Sequence, residues 1–326
     1  MKRCKIRVTI AAVMALLLAT AAAAMPQTLV AVGRTVGIRL ETDGILVAEL
    51  EPGGPAEQAG LRSGDVIETV NGTEITSCEQ FQSMLQSCDG SPLDLAIERN
   101  GKDAEVTVAP TRGAAGCHLG VSVRDSMAGI GTVTYYDPVT GAYGALGHGV
   151  NDLQSLVLLP VESGEILPSS VVEVRKGVRG TPGLLKGAFD TSTTLGTVER
   201  NTDHGIFGQC SGQLGGMPLP VATAEEIQTG KATILSNVQN TNVVEYAVEI
   251  TRLDPTDRSG RNLVLTITDD RLLQTTGGIV QGMSGSPILQ DGKIVGAVTH
   301  VLVNDPTRGY GIFIENMLEA VDQSLQ

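Results

Sequence analysis

Between Arg34 and Pro110 the chain alternates short apolar runs with turn signals: Val36-Gly37-Ile38-Arg39-Leu40, Gly44-Ile45-Leu46-Val47, then Pro52-Gly53-Gly54-Pro55. Ala56 to Leu61 reads as a short helix stopped by Gly60, and the Asn71-Gly72 pair marks a tight hairpin. Phe81, Met84 and Leu85 stand at helical spacing within Cys78 to Leu85, and two strands, Leu93 to Glu98 and Ala104 to Val108, flank Asn100-Gly101. Thr111 to Gly116 is small and flexible enough to be a linker. Beyond it the apolar runs are short and broken by glycine: Leu119 to Val123, Gly131 to Tyr136, Leu156 to Val161, Val171 to Val174, Val243 to Ile250, Leu263 to Ile267, Ile294 to Val301 and Gly311 to Ile314. Helical spacing returns only in Glu315 to Leu325. Scattered short strands of this kind predict an all-β sandwich or a pair of barrels.

Composition agrees. Glycine supplies 40 of 326 residues, well above the usual ~7%, so tight turns are abundant. Nine Phe and Tyr and no Trp leave the cores to aliphatic side chains. The formal charge of −13 has the wrong sign for neutralising phosphates, which sets nucleic-acid binding aside. Lys2, Arg3, Lys5 and Arg7 precede an apolar stretch from Val8 to Met25 with Ala22-Ala23-Ala24 near its end, the layout of a signal peptide over residues 1–26. That stretch is also nearly long enough to remain as a membrane anchor, and both outcomes export the rest of the chain. Cys78, Cys88, Cys117 and Cys210 permit disulfides there, with no readable connectivity, although a continuous helix would hold Cys78 and Cys88 too far apart to bridge. No CxxC, HExxH or spaced His/Cys cluster is present, so neither a metal nor any other cofactor is expected.

The residues with chemistry gather near the C-terminus. Ser284 stands in Gly282-Met283-Ser284-Gly285-Ser286-Pro287, where glycines let the backbone turn sharply and aim neighbouring N–H groups at one spot. Acyl transfer needs a serine so placed, a base to take its proton and two donors for the oxyanion, here the N–H groups of Gly282 and Ser284. The downstream order of turn, strand, loop, strand and closing helix matches that after the nucleophile in chymotrypsin-like proteases. Among His118, His148, His204 and His300, the glycine-flanked His148 in Gly147-His148-Gly149 is the leading base and His204 its rival. For the carboxylate that orients the imidazole, Asp269, Asp270 and Asp152 remain open.

Two resemblances extend this reading. The run from Gly53 to Gly72, GGPAEQAGLRSGDVIETVNG, with the earlier Val36-Gly37-Ile38, resembles a PDZ domain of the bacterial exported-protease type, placed at residues 34–110. By position, that resemblance implies a peptide's C-terminal carboxylate at Val36, Gly37 and Ile38 and an added β-strand along Arg39-Leu40. The segments GALGHGVND, LKGAF, GTVERNTDHGIFG and TDDRLLQTTGGIVQGMSGSPILQDGKIVGAVTHVLVNDPTRGYGIFIENML resemble the stage IV sporulation protein B family of serine peptidases, placed at residues 111–326. The resemblance implies a chymotrypsin-like double β-barrel with catalytic Ser284, His148 and Asp269. It also implies self-cleavage near the N-terminus and cleavage of a membrane-tethered regulator in the space between forespore and mother cell, so that an intramembrane protease is activated and a sigma factor processed. The PDZ domain would then take a peptide ligand, the chain's own N-terminal region among the candidates. A non-catalytic PDZ scaffold on a degenerate protease fold and an envelope-stress protease are the competing readings.

Overall fold

The computed structural model describes residues 28–114 and 116–322, so the signal or anchor segment 1–26 lies outside the described residues. In chain order come β1 (Thr28–Ala31), β2 (Thr35–Leu50), α1 (Pro55–Gln58), β3 (Val66–Val70), β4 (Thr73–Glu74), α2 (Cys78–Ser87), β5 (Leu93–Glu98) and β6 (Asp103–Val108). A small hairpin, β7 (Thr111–Gly113) and β8 (Gly116–His118), leads into the long β9 (Val121–Tyr136). Then follow β10 (Ala142–Ala145), β11 (Ser163–Arg175), β12 (Leu184–Phe189), β13 (Gly196–Thr202), β14 (Gly205–Cys210) and β15 (Met217–Pro220). The last part holds β16 (Gly230–Gln239), β17 (Asn242–Leu253), β18 (Leu263–Ile267), α3 (Asp270–Thr276), β19 (Pro287–Gln290), β20 (Lys293–Leu302), β21 (Asp305–Phe313) and α4 (Ile314–Asp322).

The expected pair of barrels is present. The first closes through β9, β10, β14, β13, β11 and β2, each paired antiparallel to the next and β2 back to β9. The second is the closed barrel β16-β17-β18-β21-β20-β19. Its aliphatic interior includes Ile234, Val248, Leu265, Ile288 and Val298, while Val36, Ile38, Val133, Tyr143, Ile166 and Ile206 fill the first.

The domain boundaries differ from the sequence expectation. Thr35 to Glu41 belongs to the first barrel, pairing with β9 through Thr35↔Thr132 and with β11 through Glu41↔Ser163. The PDZ-like unit, with its own core of Ile45, Val47, Phe81, Leu95, Ile97 and Val108, is an insertion that leaves the barrel after Glu41 and returns along β9. The separate runs Leu119 to Val123 and Gly131 to Tyr136 lead into and end this one crossing strand, interrupted in hydrophobicity where Ser126, Ala128 and Gly129 are exposed. Thr111 to Gly113 and Gly116, expected to lie in a linker, pair in the β7–β8 hairpin, which is tied to the end of α2 by a Cys88–Cys117 disulfide; among the described residues Cys78 and Cys210 are free. Leu156 to Val161 is a loop carrying a single bridge, Asn151↔Leu158.

Candidate active site

His148 follows β10 of the first barrel and Ser284 precedes β19 of the second, and both line one cleft between the barrels together with Thr299 and His300. The turn carrying Ser284 depends on left-handed backbone at Gly282 (φ 99°) and Gly285 (φ 94°). At Gly285 a side chain would drive a Cβ to 2.0 Å from the Thr132 carbonyl. Thr132 of β9 clamps the turn across the barrels: its N–H donates to the Ser284 carbonyl at 3.0 Å and its hydroxyl to the Gly282 carbonyl at 2.7 Å.

Hydrogen-bond use along this turn is selective. The N–H groups of Gln281, Met283, Gly285 and Ser286 donate to the carbonyls of Gly183, Val280, Val298 and Met283. Those of Gly282 and Ser284 have no hydrogen-bond partner among the described residues. Two spare donors on either side of Met283 are what an oxyanion requires. The Ser284 hydroxyl itself donates to the Thr299 carbonyl at 2.7 Å.

The His148 ring is oriented by backbone. Its Nδ1 lies 2.8 Å from the Gly149 carbonyl, an acceptor only, so Nδ1 carries the proton and Nε2 keeps its lone pair. Burial pushes the His148 pKa below its ordinary value, opposed by that hydrogen bond. The His300 ring packs on it with centroids 4.8 Å apart and planes at 39°. Partial desolvation of the His300 ring, then the charges of His148 and Arg261, lower its pKa to about 4, so both rings are neutral near pH 7.

Asp269 is not brought to this cleft. It is the N-cap of α3, accepting from the Arg271 N–H at 2.9 Å, from the Ala247 N–H at 3.2 Å and from the Arg271 guanidinium at 2.7 and 3.0 Å. The Arg271 hydrogen bonds hold its carboxyl well below the usual carboxylate range. The place expected of Asp269 is therefore filled by the Gly149 carbonyl, because the strand end that carries Asp269 feeds a helix whose first N–H groups claim the carboxylate. Asp152 caps its own turn, accepting from the N–H groups of Gln154 and Ser155. His204 lies apart from the cleft, its Nε2 donating to the Arg258 carbonyl. His300, on β20, joins the site only because barrel closure turns its ring onto His148.

The proposed peptide site at Val36, Gly37 and Ile38 is also displaced. These residues pair with β11 on one side and β9 on the other, so no edge is left for an added strand. Gly37 is glycine because the Phe189 ring lies against it, 2.7 Å from where a Cβ would stand. An equivalent apolar-Gly-apolar sequence, Leu119-Gly120-Val121, lies where β9 begins beside the PDZ core, with Gly120 at φ 71°. The Leu119 and Gly120 carbonyls accept from the Ala56 and Glu51 N–H groups.

The profile of the SpoIVB peptidase S55 family matches residues 115–318, well over half the chain, and a PDZ profile matches residues 46–99. The chain belongs to the SpoIVB peptidase S55 family. That family is one of serine peptidases, and the PDZ profile falls on the unit inserted into the first barrel. Among curated proteins, it is 32% identical over 84 residues to the zinc metalloprotease RasP of Oceanobacillus iheyensis, covering 26% of this chain and 20% of that protein. It is 35% identical over 69 residues to serine protease HTRA1 of Xenopus tropicalis, covering 21% and 15%. The chain thus spans about a fifth of the curated relatives it matches first. The active form of the Rv3671c protease from M. tuberculosis aligns over 61% of this chain and 74% of that one at 16% identity and TM-score 0.34.

Proposed function

We propose that the protein is an exported serine endopeptidase whose nucleophile is Ser284 and whose general base is His148. The reading is carried by one observation: His148 and Ser284, from different barrels, meet in one cleft beside two N–H groups with no other partner. In the reaction the Ser284 hydroxyl leaves the Thr299 carbonyl and turns to His148 Nε2, which takes its proton as Oγ attacks the scissile carbonyl. The oxyanion is held by the Gly282 and Ser284 N–H groups, and His148 returns the proton to the leaving amine. The Gly149 carbonyl fixes the tautomer throughout and supports the imidazolium by its dipole.

Family membership supports the finer reading, in which the substrate is a membrane-tethered regulator of an intramembrane protease, cut outside the cytoplasmic membrane during sporulation after self-cleavage near the N-terminus. Among the described residues no helix is long and apolar enough to cross a membrane. Intact mass and N-terminal sequence of the full chain after expression test this. The wild type should lose an N-terminal segment that Ser284→Ala retains, and equal trimming of both would overturn self-cleavage.

A further inference from the structure

The His148 ring takes its orientation from the Gly149 carbonyl, and among the described residues no carboxylate is hydrogen-bonded to it. That carbonyl belongs to the Gly149–Val150 peptide unit. The N–H on the opposite side of the same unit, that of Val150, donates to Asn201 Oδ1 at 2.8 Å.

Asn201 lies near the end of β13, just before the turn into β14 at Thr202↔Gly205. Its amide is engaged on both sides. Nδ2 donates to the Val150 carbonyl at 2.8 Å and to the Leu159 carbonyl at 2.9 Å, while Oδ1 accepts from Val150. These partners decide which way the amide faces: turned over, it would set its oxygen against two carbonyl oxygens and its NH2 against an N–H. The neighbouring Thr202 closes in on Gly149 itself. A Cβ at Gly149 would stand 2.7 Å from the Thr202 carbonyl and 2.4 Å from Leu158 Cδ1, so only glycine fits there.

We propose that Asn201 is a positioning residue for the general base, acting through the Gly149–Val150 peptide in the role usually given to a triad carboxylate. This deepens the peptidase reading above, on which it rests. The row runs from Asn201 Oδ1 to the Val150 N–H, through the peptide to the Gly149 carbonyl, and on to the Nδ1–H of His148. Its dipoles lie head to tail, so each hydrogen bond polarises the next. An amide whose N–H is held by an acceptor carries more electron density on its own carbonyl oxygen, through the same resonance that keeps the peptide planar. The Gly149 carbonyl thereby holds the Nδ1–H tautomer and offsets the positive charge that forms when Nε2 takes the Ser284 proton. No proton passes along the row. Nδ1 keeps its hydrogen throughout and the Asn201 amide stays neutral, so orientation and dipole stand where an aspartate would bring charge.

The test uses the full chain with Ser284→Ala and isotope-labelled histidine, read by nitrogen NMR at about pH 8, where an imidazole is neutral. The signals of His148 are assigned by their loss in His148→Gln. With Asn201 in place the ring should be protonated on Nδ1, and in Asn201→Leu the Nε2-protonated tautomer should appear. Asn201→Asp keeps an acceptor for the Val150 N–H but cannot donate to the Val150 and Leu159 carbonyls, so it should keep the tautomer even where it lowers Tm. In active protein, Asn201→Leu should lower kcat about 10²-fold with KM within about threefold, short of the ~10⁴ lost with a triad carboxylate because the Gly149 carbonyl remains beside the ring. Asn201→Asp should recover at least tenfold of that loss. An Nε2-protonated His148 with Asn201 in place overturns the proposal whatever the variants do. So does an unchanged tautomer and kcat in Asn201→Leu, or an Asn201→Asp protein no more active than Asn201→Leu. An Nδ1-protonated ring in a chain that cleaves no peptide would instead overturn the peptidase reading.

Discussion

Replacing Asp269 separates a cap from a catalytic carboxylate. In the structure its carboxylate accepts two backbone N–H bonds, from Arg271 and Ala247, and pairs with a guanidinium that is 65% exposed. Losing an N-cap costs about 0.5–2 kcal/mol and an exposed ion pair adds at most about 1, so Asp269→Ala should destabilise by about 1–2 kcal/mol. For a unit of this size that is about 2–8 °C in Tm. Asparagine can still cap, so Asp269→Asn should lose less. In both variants kcat per folded molecule should stay within about threefold, since no contact reaches His148. A triad aspartate would behave otherwise, with a loss of about 10⁴ on conversion to asparagine. Thermal unfolding by circular dichroism and peptide cleavage normalised to active-site titration give the two readouts. A drop of 10³ or more in kcat for Asp269→Asn at unchanged Tm would refute the reasoning.

Other consequences follow from the same geometry. Because burial holds the His148 pKa down, the acid limb of kcat/KM should lie below pH 6.5, measurable as a pH profile; a midpoint above 6.5 would contradict the burial argument. The lowered Asp269 pKa stabilises the fold above the unfolded carboxyl's ~3.9, and that stability is lost as pH falls below it; wild type should therefore lose more of its Tm below pH 4 than Asp269→Ala does. Gly282→Ala places a side chain at φ 99° and moves the oxyanion donors, so kcat should fall about 10²-fold with little change in KM. Removing the Cys88–Cys117 bridge, which spans 29 positions, should destabilise the PDZ unit by about 3–4 kcal/mol on the chain-entropy model, seen as an earlier urea transition in Cys117→Ser.

Much of this arrangement was legible because it is local. Glycine spacing around Ser284 and His148 marks sharp turns, left-handed at Gly147, Gly282 and Gly285, and alternating apolar runs mark strands whichever partner they find. What escaped is long-range. Val36-Gly37-Ile38 and Leu119-Gly120-Val121 have the same apolar-Gly-apolar form, and only the pairing of Thr35 to Glu41 with both β9 and β11 assigns the first to the barrel. The insertion of one domain within a barrel leaves no local mark, since both units are made of short strands. Asp269 stands at a strand end as expected, but whether a carboxylate there reaches an imidazole or a helix N-terminus depends on how Asp270 to Thr276 folds. His300 becomes part of the site through barrel closure alone.

The central claim is that Ser284 is a nucleophile activated by His148. Treating the full chain with a fluorophosphonate and mapping the adduct by mass spectrometry tests it most directly. One adduct is predicted, on Ser284, absent in Ser284→Ala and formed at least 10³-fold more slowly in His148→Ala. An adduct on another serine, or an unchanged labelling rate in His148→Ala, would contradict it.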